Sequence, residues 1–83
     1  MKFKDLKFKT HAKNDVQAWE KFVNGYEVSI IRNPFSYGGD NGLYEIGVYK
    51  GLLMCDPLNW GDDVKGWLTP EGVEKELELI EAL

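Results

Sequence analysis

Few side chains in this sequence could do chemistry, and the two that make the commonest nucleophile pair are each present once, Cys55 and His11. A cysteine nucleophile needs a base within hydrogen-bond reach, so the two would have to meet in space. Cys55 closes the apolar run Leu52-Leu53-Met54-Cys55, where a free cysteine behaves as a small inert hydrophobe, and His11, which follows a lysine-rich strand, reads as a residue of an exposed loop. A catalytic zinc wants three protein ligands, which one histidine and one cysteine do not supply. Asp56, Asp62 and Asp63 could gather around a hard cation, but they lack calcium-loop spacing and read as solvated loop carboxylates. Carboxylates for glycoside hydrolysis are available by residue type, yet 83 residues leave little room for a sugar-binding cleft. The expectation is a protein that is not an enzyme and uses no cofactor or metal.

Two features point instead to binding. Glu71, Glu74, Glu78 and Glu81 recur every three or four residues and, on a helix, would spread over about 15 Å. Such a row imitates a run of phosphates and could enter a basic channel on a partner protein, speeding association in a salt-dependent way. The plainer reading is the wet face of an amphipathic helix, with Glu76 on the flank and Lys75 as the lone base. Like charges at Glu74/Glu78 and Glu78/Glu81 cost a few tenths of a kcal/mol each, a small count against it. The second feature is Asn33-Pro34-Phe35-Ser36-Tyr37-Gly38-Gly39-Asp40-Asn41-Gly42, a ten-residue connection with three glycines and two aromatics. It is no phosphate loop, since no Gly-Lys-Ser/Thr follows. Phe35 and Tyr37 either plug the end of a sheet, the plainer reading, or are contact residues for a partner.

The elements that must position these groups are legible from spacing. Lys2, Lys4, Lys7 and Lys9 surround Phe3, Leu6 and Phe8, a pattern that predicts a lysine-lined edge strand. Asn14 or Asp15 can cap a short helix through Val23, with Val16, Trp19, Phe22 and Val23 as its stripe and Asn24-Gly25 as its end. Alternation predicts strands over 26–32 and 43–50, and Lys50-Gly51 turns the chain back into 52–55. After a loop holding Trp60, 64–68 is extended. Thr69 caps and Pro70 opens a final helix to about Ala82, its stripe formed by Val73, Leu77, Ile80 and Leu83. The expected fold is α+β in one domain spanning 1–83. It consists of a twisted antiparallel sheet of three to four strands, with a short N-terminal helix and a C-terminal helix packed on one face.

Composition sets the surroundings. The net charge of −4 speaks against direct nucleic-acid binding, although residues 1–32 carry seven basic and four acidic side chains and 33–83 carry three and ten. A single cysteine allows no internal disulfide, and Met1 to Asp5 shows no signal-peptide run, so a reducing cytoplasm is expected. No stretch approaches the roughly 18 apolar residues of a membrane span.

The run Asn24-Gly25-Tyr26-Glu27-Val28-Ser29-Ile30-Ile31-Arg32-Asn33-Pro34-Phe35-Ser36-Tyr37-Gly38-Gly39, continued by Gly42-Leu43-Tyr44-Glu45, resembles small bacteriophage and prophage proteins of no established activity. Asp62-Asp63-Val64 and Gly66-Trp67-Leu68-Thr69 fit the same pattern, so the resemblance covers residues 24–74 and leaves out the lysine-rich start. It implies a phage-encoded accessory protein in the cytoplasm of an infected bacterium, and it assigns no site residue. The expected function is to bind and modulate or inhibit a host protein with a basic surface. A nucleic-acid-handling defence enzyme is one such target, which would make the protein anti-CRISPR-like. The alternative is an assembly factor that self-associates, for example as a homodimer, through its wet sheet face or edge strand.

Overall fold

Alternation decides the centre of the molecule. In Tyr26–Arg32 (β3) and Tyr44–Lys50 (β4), Val28, Ile30, Ile46 and Val48 share one face and are fully buried. The computed structural model describes residues 1–83 and pairs these strands antiparallel, Val28 opposite Val48 and Ile30 opposite Ile46. Asp15–Lys21 (β2) flanks β3 on the outer side and Lys9–Ala12 (β1) lies beyond it. On the other side β4 is shared. Leu53–Cys55 (β5) pairs with its Val48–Lys50 end and Val64–Leu68 (β6) with its Tyr44–Gly47 end. The antiparallel sheet therefore has six strands, more than the three to four expected, ordered β1-β2-β3-β4-β5 with β6 also on β4.

The C-terminal helix α1 spans Pro70–Glu81, as its capping signals predict. Thr69 Oγ1 accepts the Gly72 N–H at 3.1 Å, and Val73, Leu77 and Ile80 are fully buried over the Val/Ile block of β3 and β4. Leu83 falls outside the stripe and is half exposed. No glycine ends the helix. Asn24 Nδ2, from the β2–β3 turn, donates to the Ile80, Glu81 and Leu83 carbonyls at 2.9–3.4 Å, serving acceptors a helix end leaves open. Leu6, Ala18, Phe22 and Leu68 complete the core.

The expected N-terminal helix is β2. Its Val16, Trp19, Phe22 and Val23 fit a helical stripe, but a helix there would leave the outer edge of β3 with unpaired backbone groups. As a strand the segment pairs with β3 from Val16↔Arg32 to Lys21↔Glu27, turns Ala18 inward and sends Trp19 to the opposite face. Asn24-Gly25 then serves as a hairpin turn, with Gly25 at φ +92°. The expected edge strand moves as well. Phe3–Asp5 is a single 3-10 turn, and pairing begins only at Lys9. Leu6 and Phe8 do share an inward side: Leu6 is buried, and Phe8 packs on Phe3 and Tyr44 with ring centroids 5.6 and 5.5 Å apart.

Candidate binding surface

The 33–42 loop is stiff because its own polar groups close it. Asn33 Oδ1 accepts the Phe35 and Ser36 N–H groups, both at 2.8 Å, while Ser36 Oγ accepts the Asn33 N–H and donates to the Asn33 carbonyl, both at 2.9 Å. Gly38 takes φ +86°, and a Cβ at Gly39 would fall inside the Asn33 carbonyl, so both glycines are required by geometry. The loop is also tied to its neighbours. Tyr37 N–H donates to Glu45 at 3.0 Å, the Tyr37 carbonyl accepts the Trp67 N–H of β6 at 3.1 Å, and Asn14 Nδ2 donates to the Gly39 carbonyl at 3.2 Å. Arg32 holds Asn14 in turn, its Nε donating at 2.9 Å.

What this scaffold displays is aromatic. Phe35 is 96% exposed, Tyr37 56% and Trp67 60%, so neither loop aromatic plugs the sheet. Trp67 belongs to the same end. Its φ is +59°, a conformation a bulky residue rarely adopts, and its backbone and ring edge lie against Gly38. A glycine at 66 is needed because a Cβ there would meet Tyr37. Spacing alone gives Trp67 as part of an extended segment and carries no sign of its exposure; the adjacent Gly66 is the one signal that something unusual packs there.

The glutamate row is divided by the fold. Glu74 Oε1 accepts the Phe3 N–H at 2.7 Å and Oε2 pairs with Lys2 at 3.5 Å, while Glu81 meets the Met1 ammonium at 3.2 Å. Glu76, expected on the flank, is buried and pairs with Lys65 of β6 at 2.6 Å, joining helix to sheet. Glu71 and Glu78 are exposed and make no ion pair, and seven residues of helix set them about 10 Å apart.

The Phe3 N–H, helped by Lys2, holds the Glu74 carboxyl below the ordinary glutamate value of 4.5. A lowered pKa means that the contact is fully present above 4.5 and is lost as pH falls through the folded-state value. The Phe3 amide resonance should therefore shift with an inflection below pH 4.5, and a Glu74→Gln variant should lack it. An inflection at or above 4.5 would contradict the contact.

The remaining reactive groups lie apart. Cys55 is on β5 and His11 on β1, at opposite ends of the strand order. Burial chiefly pushes the Cys55 thiol up, with Asp63 and Asp56 adding to it against Lys50. Asp56 closes the following loop by accepting the Trp60 and Gly61 N–H groups at 2.6 and 2.8 Å. No three His, Cys, Asp or Glu side chains gather in a metal-ligating group, and no helix is long and apolar enough to cross a membrane. The chain matches no known protein family, no curated protein and no solved structure.

Proposed function

We propose that the chain is a non-catalytic accessory protein that binds and modulates a host protein through the end of the sheet bearing Phe35, Tyr37 and Trp67. The observation that carries this is Phe35, almost wholly in solvent on a loop whose internal hydrogen bonds fix it there. Burying a phenylalanine contributes about 1.5–3 kcal/mol, which this fold leaves unused and a partner's apolar pocket would recover. Aromatic anchors of this kind dominate protein interfaces, and a stiff loop loses little entropy on docking. The strained Trp67 supports the same end, since such backbone outliers cluster where proteins bind or switch.

Glu71 follows Trp67 by four residues, just inside the start of α1. With Glu78 it leaves two free charges to steer a partner that has a basic rim. The phage resemblance of residues 24–74 supports a target in an infected bacterium, and a nucleic-acid-handling defence enzyme has the required basic surface.

The test is affinity capture from bacterial lysate, at low and high salt, with wild type and a Phe35→Ser/Tyr37→Ser variant. Wild type should retain a host protein that the variant loses, with the melting temperature unchanged because neither side chain is core. Equal capture by both would contradict the proposal. Recovery of only further copies of the chain would favour self-association instead.

A further inference from the structure

The sheet face opposite α1 carries a second surface, made from different residues. There Trp19 is 50% exposed and leans on Tyr49, ring centroids 5.5 Å apart and planes at 46°. Beside it runs a groove of about 380 Å³ lined by Lys7, Lys9, His11, Gln17 and Trp19. Gln17 also lines a hollow of about 220 Å³ that continues inward over Ser29 and Tyr49, and its Nε2 donates to Ser29 Oγ at 2.9 Å. The two meet at Gln17 and together form a trough running from the β1 edge towards β4.

Its chemistry suits an anionic ligand with flat rings. No carboxylate lines the outer groove, while two lysines and a histidine do. Five of the ten carboxylates of residues 33–83 lie on α1 behind the sheet, while Glu27, opposite Tyr49, and Glu45 share the trough's face but do not line the outer groove. At the inner end Glu45 accepts the Tyr37 N–H and marks where the trough stops being hospitable to phosphate.

We propose that this trough binds single-stranded nucleic acid, one base stacked on Trp19 and the backbone phosphates following Lys7 and Lys9. An open trough suits a strand passing through better than a free nucleotide, which would need enclosure. A duplex, whose internal base faces are already stacked, offers Trp19 no free ring. Aromatic platforms beside a cationic track are the means by which proteins hold unpaired strands without reading their sequence.

The experiment is fluorescence anisotropy of a labelled oligothymidylate of about ten nucleotides, a length within the range of small single-strand sites. Trp19→Ala should weaken binding about tenfold or more. Lys7→Gln/Lys9→Gln, two surface changes that leave the core alone, should lower the slope of log affinity against log salt by about 1.4. Phe35→Ser/Tyr37→Ser should bind as wild type does, which separates this surface from the one proposed for the protein partner. Absence of binding at low salt, or unchanged binding in both trough variants, would overturn the proposal. So would competition by a mononucleotide at the concentration at which the oligomer competes, or sedimentation showing a dimer that buries Trp19.

Discussion

Replacing Leu77 with alanine is expected to destabilise the fold by about 2–4 kcal/mol. The side chain is fully buried, between Val73 and Ile80 on the helix and against the Val/Ile block of the sheet. Truncation loses the transfer free energy of the removed carbons and leaves a cavity that a rigid sheet cannot collapse to fill. Domains have only about 5–15 kcal/mol in all, so this is a large share. Urea denaturation should show a lower midpoint with an unchanged slope. Leu79, half exposed two residues along the same helix, supplies the comparison: its alanine variant should stay within about 0.5 kcal/mol. A Leu77 loss below about 1 kcal/mol would mean that the helix is not held to the sheet by this stripe.

Gly39→Ala is expected to cost about 1–3 kcal/mol, the range for forcing extra atoms into packed space. The new Cβ would meet the Asn33 carbonyl and Ser36 Oγ. The carbonyl is backbone and is itself held by the Ser36 N–H and hydroxyl, so it cannot swing aside. The loop must open, releasing the Asn33–Ser36 bonds and the Asn14–Gly39 bond together. Gly42 is the comparison. It also has positive φ but nothing lies within 4 Å of a Cβ, so only backbone strain of about 1 kcal/mol opposes an alanine there. Amide shifts should spread from 33–42 to Asn14 and Arg32 in the Gly39 variant alone. A Gly39 cost no greater than the Gly42 cost would show that the loop is looser than its hydrogen bonds indicate.

The parts of the fold legible in the sequence are those where one periodicity stands unopposed. At the centres of β3 and β4 the alternate residues Val28, Ile30, Ile46 and Val48 are all Val or Ile, and in α1 the stripe, Thr69 and Pro70 agree. β2 was illegible for a physical reason: its inward residues include a small Ala18 and a charged Glu20, so the period of two is faint, whereas Val16, Trp19 and Phe22 mimic a helix. What makes it a strand is the unpaired edge of β3, a tertiary demand. The site shows the same division. That Phe35 and Tyr37 belong to an unusual loop is visible in the glycines around them, but whether they fill space or project from it depends on whether the sheet end has a hole. The four glutamates look equivalent in sequence. Only the chain passing Phe3 and Lys2 beneath the helix separates Glu74 from Glu71 and Glu78.

On the proposed function a partner docks on the Phe35, Tyr37 and Trp67 end, and the free glutamates act only at a distance. Binding kinetics on the captured partner at two ionic strengths separate these roles. Phe35→Ser/Tyr37→Ser should raise the dissociation rate about tenfold or more at both salt concentrations and leave association nearly unchanged, as loss of buried anchors does. Glu71→Gln/Glu78→Gln should slow association, flatten its salt dependence and leave dissociation alone. A loop variant that dissociates as slowly as wild type would contradict the account, and the contact surface would then lie elsewhere on the molecule.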